Sequence, residues 1–185
     1  MKPVCDRSCP DLVTTTYLLE RNNISASSNV FGMSSQDIQM CLTYLDKASG
    51  KFVVIADQKD TSRLATMLTY CSICQNWRNS QLHCTVYNLK FLQYLEATKK
   101  SWSGRETDSL EFQKIFIKTA KVLIISNIDF VTFKNFECQN LLEIMQSRSE
   151  NHDLTTIIVA PPLASLVGEG QFFNTLSTML RVHSL

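Results

Sequence analysis

Apolar and polar residues alternate along the chain in blocks that predict strands separated by helices. Short runs rich in β-branched and other apolar residues predict strands over 52–56, 83–89, 121–125 and 155–160. Apolar positions spaced three and four residues apart predict amphipathic helices over 36–47, from residue 63 onward, over 91–99, over 109–120 and over 136–148. This alternation indicates one α/β domain whose sheet is mainly parallel.

The same pattern predicts which positions face the core. The run over 121–125 is almost continuously apolar, as expected for a central strand that is covered on both faces. The helix over 109–120 bears a set of apolar residues, Leu110, Phe112, Ile115 and Phe116, and the helix over 136–148 turns another set inward, Cys138, Leu141, Leu142 and Met145. Residues 1–35 are irregular and predict a partly ordered arm before a core over 36–185.

Composition narrows the class of protein. The chain has 185 residues, of which 44% are hydrophobic, enough for one well-packed domain. Its 18 basic and 17 acidic side chains leave a net charge of +1, so we expect no strongly basic field for autonomous DNA binding. The seven cysteines, an odd number, favour a reducing intracellular compartment, and no apolar run is long enough to predict a membrane span.

Residues 51–78 resemble the strand, loop and helix that bind phosphate in P-loop proteins. In those proteins glycines let backbone N–H groups surround a phosphate, while a Lys and a hydroxyl hold phosphate oxygens and Mg²⁺. Here the loop from Asp57 through Thr61 and Ser62 has no glycine, Arg63 stands in place of the Lys, and Leu64 stands in place of the hydroxyl. The sequence therefore predicts a vestigial loop that binds no nucleotide cofactor.

Three segments in order resemble the RecA-like eukaryotic recombinase and its paralogues. Residues 61–75 are similar to the loop end and following helix, with Thr61, Ser62 and Arg63 where the family has Thr-Gly-Lys. Residues 121–130 are similar to the strand that carries the magnesium-orienting Asp. Residues 154–182 are similar to the next strand, the DNA-facing loop and the closing strand. The resemblance implies a RecA-like P-loop core with a mainly parallel, twisted sheet and helices on both faces.

Departures from the family pattern imply that catalysis is lost. Ser126 and Asn127 replace the family's Asp-Ser, and Pro161 and Pro162 replace its Asn-Gln. No Glu between residues 86 and 91 is available to activate water, and the DNA-facing loop is reduced to about residues 163–171, without Lys or Arg. Without these groups neither Mg²⁺ nor the γ-phosphate is held, so we expect no ATP hydrolysis and no metal site.

The resemblance also implies how such a chain would act. It predicts a nuclear subunit that pairs with an ATP-binding paralogue, supports recombinase filaments in homologous recombination repair, and meets DNA mainly through its partners. The predicted partner interface is the nucleotide edge of the sheet, at Ile125, Ser126, Asn127 and Asp129. Phe31 stands where the family carries an aromatic plug that contacts the next subunit.

Several alternatives stay open from the sequence. The chain is also compatible with a diverged ATPase of the helicase-loader type, in which residues 126–129 are a degenerate Asp-Asp box. Arg63 is either a solvated residue at a helix start or a partner for a phosphate or a neighbouring carboxylate. Asp129 is either a polar residue after the strand or a substitute for the missing magnesium-orienting Asp. Four cysteines have spacings compatible with zinc but also with helix burial: Cys5, Cys9, Cys71 and Cys74.

Overall fold

The computed structural model describes residues 33–49, 52–56, 60–78, 86–104, 108–129 and 133–160, and positions 175 and 178. Helices and strands alternate along these residues, as predicted. In chain order they are α1 (Ser35–Ala48), β1 (Phe52–Ala56), α2 (Thr61–Arg78), β2 (Val86–Lys90), α3 (Phe91–Ser101), α4 (Asp108–Thr119), β3 (Val122–Ser126), α5 (Asn135–Ser149) and β4 (Thr155–Ala160). The predicted bounds of β1 and β4 are confirmed at both ends, and α2 begins at Thr61, slightly earlier than predicted.

The sheet within the described residues has four strands in the order β1-β4-β3-β2. Every neighbouring pair is parallel, which confirms the predicted α/β class with a parallel sheet. β3 lies between β4 and β2, so the prediction that this strand is central is also confirmed. β1 and β3 are not neighbours, because β4 lies between them. This order differs from the doubly wound order in which the first and third strands of the chain are adjacent.

Helices cover both faces of the sheet and form a three-layer structure. On one face, α1 and α2 pack against Val53, Ile55, Ile124 and Ile157 in one apolar cluster. On the other face, α3, α4 and α5 pack in a second cluster with alternate residues of the same strands. Successive strand residues point to opposite faces, so a four-stranded sheet with apolar residues on both faces needs helices on both sides.

The outward side of α4 corrects one prediction from the sequence. Leu110 and Ile117 are buried against the sheet, whereas Phe112 is 60% exposed and Ile115 is 55% exposed. Residues seven positions apart lie on the same side of a helix, and Leu110 and Ile117 have that spacing. The expectation that Phe112 and Ile115 belong to the core is therefore wrong. The four inward positions predicted for α5 are all buried.

One buried cation connects the layers at the amino ends of the strands. The side chain of Arg148, near the end of α5, is only 1% exposed. Its Nη1 donates to the carbonyl of Ile117 (2.6 Å), and its Nη2 donates to the carbonyls of Ala120 and Thr155 (both 2.9 Å). Its Nε donates to Oγ1 of Thr156 (2.7 Å). Arg148 thus joins the end of α4, the start of β4 and the end of α5.

Several predictions fall outside the described residues. These concern most of the amino-terminal arm with Phe31, the loop residue Asp57, and the shortened loop and closing strand expected within 161–185. Met33, which belongs to the predicted arm, is buried against the α1 and α2 side of the sheet. Among the described residues, no helix combines the length and apolarity needed to cross a membrane.

Candidate functional site

The candidate site is the edge of the sheet where the strands end, which we call the carboxyl edge. Because the strands are parallel, the ends of β1, β4, β3 and β2 meet at this one edge, at Ala56, Ala160, Ser126 and Lys90. In open α/β sheets, ligands bind outside the carboxyl ends of the strands. The amino end of α2 and residues 126–129 also lie at this edge.

A carboxylate of the chain itself caps the amino end of α2. Oδ1 of Asp60 accepts a hydrogen bond from the backbone N–H of Arg63 (2.8 Å), and the Asp60 carbonyl accepts from the N–H of Leu64 (3.1 Å). This geometry is that of an Asp at an N-cap position. In a P-loop protein, backbone N–H groups at this helix end bind the phosphate. Asp60 therefore places a negative charge at the position where a nucleotide would bring its own.

The side chain of Arg63 is directed toward helix α1. Its Nη2 lies 3.7 Å from Oδ2 of Asp37, and the Arg63 side chain is 53% exposed. Such an exposed pair contributes little to stability, about 0–1 kcal/mol. The ion pair nevertheless gives Arg63 a carboxylate partner within the chain. It connects the amino ends of α1 and α2.

Asp37 also completes a capping box at the start of α1. Its Oδ2 accepts from the backbone N–H of Ser34 (2.9 Å), and its own N–H donates to Oγ of Ser34 (3.1 Å). Helix α1 begins at Ser35, one residue before the start predicted at 36, and Ser34 is its N-cap. The backbone and side-chain hydrogen bonds from Ser34, followed by the charge of Arg63, hold the pKa of Asp37 below its ordinary value of 3.8. Asp37 is thus anionic at neutral pH and available to Arg63.

The position expected for a magnesium-orienting Asp belongs to a buried polar chain. Ser126 is only 5% exposed, and its Oγ donates to Oδ1 of Asn88 on the adjacent strand β2 (2.8 Å). Nδ2 of Asn88 donates to Oγ1 of Thr69 on α2 (3.1 Å), and that hydroxyl donates to the carbonyl of Ala65 (2.7 Å). Each of these three donating groups has an acceptor. Ser126 is thus part of the internal structure and is not a group facing an open site.

The residues predicted to contact a partner differ sharply in accessibility. Ile125 is completely buried among the helices α3, α4 and α5, so its side chain offers no accessible surface in this structure. Ser126 is nearly as buried. Asn127 is exposed, and Asp129 is half-buried. Asn127 also has a positive φ of 55°, which Asn tolerates better than most residues, and this turns the chain sharply at the end of β3.

The described residues give no support to metal or cysteine chemistry. Within them, no group of three His, Cys, Asp or Glu side chains is placed to hold a metal ion. Cys71 and Cys74 are buried residues of α2, where they pack with the apolar cluster beneath that helix. Cys5 and Cys9 lie outside the described residues. The packing of Cys71 and Cys74 is that of small hydrophobic side chains.

Sequence analysis missed three residues that define this edge: Asn88, Thr69 and Asp37. One signal was present, because Asn88 is an amide within the predicted strand over 83–89, where a polar residue needs a buried partner. The identity of that partner depends on how β2, β3 and α2 pack. No local pattern specifies this.

A separate cleft of about 240 Å³ lies at the opposite edge, near the starts of the strands. It is lined mainly by polar side chains of α1, α2 and the segments before β3 and β4, among them Asp46, Ser72, Gln75, Lys121 and Asp153. This edge is not the one at which open α/β sheets bind their ligands. We therefore keep the carboxyl edge as the candidate functional site.

No protein-family model, no curated protein and no solved structure matches this chain.

Proposed function

We propose that this chain is a non-catalytic subunit with a RecA-like core, related to the recombinase paralogues. In this proposal it pairs with an ATP-binding paralogue in the nucleus and supports recombinase filaments in homologous recombination repair. The observation that supports the proposal is that groups at the positions expected for phosphate and Mg²⁺ form hydrogen bonds within the chain. Asp60 caps α2, and Ser126 is hydrogen-bonded to Asn88.

The charge at Asp60 argues against phosphate binding at the start of α2. A unit negative charge about 4 Å from a carboxylate is repelled by roughly 1 kcal/mol in water and roughly 4 kcal/mol near a protein surface. The helix end attracts an anion by only about 0.3–1 kcal/mol at an exposed position. Repulsion therefore equals or exceeds attraction for each phosphate charge. Arg63, the nearest cation of the former loop, is already paired with Asp37.

The same edge has groups suited to a protein partner. Asn127 is exposed and Asp129 is half-buried, directly after the inner strand β3. A partner bound here would need complementary shape and hydrogen bonds, and it would need no nucleotide on this chain. The proposed role is therefore docking, with ATP held by the partner subunit and DNA contacted mainly through the assembly.

Calorimetric titration with Mg²⁺ and ATP tests the non-catalytic part of the proposal. We expect no heat of binding with ATP up to about 1 mM, because neither phosphate nor metal has a place at this edge. The matched variant is Asp60→Asn, which removes the charge and keeps a capping side chain. Saturable binding to the wild-type chain in the micromolar range would refute the proposal.

Co-purification from cells tests the docking part. We expect Asn127→Arg to lose the paralogue partner, because it places a long charged side chain on the exposed turn. Asn127→Ala is the control, since it has the same backbone penalty at positive φ without the charge. Equal recovery of the partner with both variants would remove this turn from the interface.

A second candidate is a diverged ATPase of the helicase-loader type. It is favoured by the polar pair Ser126 and Asn127 at the end of an inner strand, where such proteins carry metal-binding carboxylates. Under this alternative, ATP with Mg²⁺ at 100 times its dissociation constant would add about 2.7 kcal/mol to the free energy of unfolding. A thermal-shift assay with and without Mg²⁺-ATP separates the two candidates, because the first predicts no change in Tm.

A further inference from the structure

The outward side of α4 is apolar at its centre and is not covered by the other residues that the structure describes. Phe112 and Ile115 are 60% and 55% exposed, and they lie three residues apart, so they are neighbours on the helix surface. Leu110 and Ile117 bury the opposite side of the same helix. Two large apolar side chains thus lie side by side on the exposed side of this helix, and such a patch is a candidate contact surface.

Charges of opposite sign flank this apolar centre along the helix. Asp108 and Glu111 lie before it and Lys118 lies after it, and all three are exposed. At about 100° per residue, Asp108 falls in line with the apolar pair, and Glu111 and Lys118 fall together on one flank of it, about 70° and 90° from its centre. Neither acidic residue nor Lys118 forms an ion pair with another described residue. The outward side of α4 is therefore acidic at one end, apolar in the middle and basic at the other end.

We propose that this side of α4 binds α4 of a second copy of the chain, with the two helices antiparallel across a twofold axis. In that arrangement Phe112 of each copy meets Ile115 of the other. Glu111 of each copy approaches Lys118 of the other along the same flank, and the symmetry forms this contact twice. A parallel arrangement would place like charges opposite each other and align the two helix dipoles unfavourably. The charge order of the helix therefore selects the antiparallel pair.

The size of the surface sets the expected affinity. A helix of 12 residues is about 18 Å long, so one helix pair buries less area than a standard stable interface. We expect a weak homodimer with a dissociation constant of about 10 µM to 1 mM at low salt. The affinity should fall as salt is added, because exposed ion pairs are screened. This pairing is independent of any partner bound at the carboxyl edge.

Sedimentation velocity on the full chain, from about 10 µM to 1 mM in low salt, tests the proposal. Glu111→Lys and Lys118→Glu should each raise the dissociation constant about tenfold, because each turns two attractive contacts into repulsive ones. The double variant carrying both changes should recover the wild-type constant, since the charges are then simply exchanged. Asp46→Lys and Lys47→Glu make the same charge changes on α1, across the sheet, and should leave the constant unchanged.

Circular dichroism of every variant establishes that it is folded before sedimentation is compared. A wild-type chain that stays monomeric throughout the concentration range would overturn the proposal. So would single variants that dimerise as the wild type does, or a double variant that stays as weak as the single ones. Recovery of the wild-type dissociation constant in the double variant is the result that distinguishes antiparallel pairing of α4 from an unspecific effect of charge.

Discussion

Replacing Arg148 with Met tests how the layers of this fold are joined. The guanidinium donates four hydrogen bonds, of 2.6 to 2.9 Å, to acceptors on α4, β4 and the residue between α4 and β3. None of these acceptors is a carboxylate. The carbonyls of Ile117 and Ala120 come from the carboxyl end of α4, where the helix dipole is negative and favours a cation. Burial lowers the pKa of Arg148 to about 10, which leaves the group charged at neutral pH.

The expected loss of stability in Arg148→Met follows from the carbonyl groups that lose their hydrogen-bond donor. Met fills much of the same space, but the carbonyls of Ile117, Ala120 and Thr155 lose a donor in a region that water does not reach. A buried acceptor left unpaired costs about 1–3 kcal/mol. Part of this is offset because the variant no longer has to bury a charge. We expect the free energy of unfolding to fall by about 3–5 kcal/mol, which corresponds to a fall in Tm of roughly 6–20 °C for a chain of this size.

Urea unfolding at pH 7, followed by circular dichroism and tryptophan fluorescence, gives the free energy directly. Arg148→Lys keeps the charge but cannot replace the planar group that donates to four acceptors, so most of the loss should remain. Gln146→Met is the matched control, because it adds the same side chain at an exposed position of the same helix. That change should alter stability by less than about 0.5 kcal/mol.

A free energy of unfolding of Arg148→Met close to that of the wild type would contradict this expectation. If its free energy of unfolding lies within about 1 kcal/mol of the wild type, with an unchanged dependence on urea, the four hydrogen bonds contribute little net stability. The junction would then depend on apolar packing of α4 and α5 alone. A variant that is too unstable to purify, beside a well-behaved Gln146→Met, would agree with the expected loss.

Three further predictions concern the carboxyl edge. Ser126→Ala removes the hydroxyl that donates to Oδ1 of Asn88, and it should lower the free energy of unfolding in urea by about 1–3 kcal/mol. Ser126→Asp should cost more, because it would place a buried carboxylate against Oδ1 of Asn88. Asp37→Asn should cost about 1 kcal/mol at pH 7 through the weakened capping box. Because the folded pKa of Asp37 lies below 3.8, the wild-type advantage should be present above pH 3.8 and be lost as the pH falls through the folded pKa. A difference that does not shrink as the pH is lowered below 3.8 would contradict this. Asn127→Val should cost about 1–2 kcal/mol in thermal unfolding, whereas Asn127→Gly should be nearly neutral, because only the branched residue is strained at a φ of 55°.

The carboxyl edge has the position of a binding edge, and polar groups at the ends of its elements form hydrogen bonds within the chain. The amino end of α2 and the end of β3 lie where an open α/β sheet binds its ligands. Asp60 and Ser126 both form hydrogen bonds within the chain at these positions. The homodimer proposed for α4 uses a different surface. A chain that docks one partner at the carboxyl edge could therefore still pair with its own copy through α4.

Local patterns in the sequence determined the helices and strands of this protein. Strand bounds at 52–56 and 155–160 follow from compact β-branched runs, and the start of α1 follows from the cap at Ser34, because each depends on residues that are close in the chain. The inward side of α5 was also predictable, since its apolar residues fall on one side of the helix. The α/β class followed from the alternation itself.

Only the tertiary structure decided the strand order, the inward side of α4 and the partners of the polar residues. Apolar residues occur at 110, 112, 115, 116 and 117, which covers too much of the helix circumference for periodicity to choose one side. Packing of α4 on the sheet buries Leu110 and Ile117 and leaves Phe112 exposed to solvent. Arg148 looks in the sequence like an ordinary solvated residue at a helix end. Its acceptors come from segments about 30 residues away as well as from nearby ones, and such contacts exist only once the chain has folded.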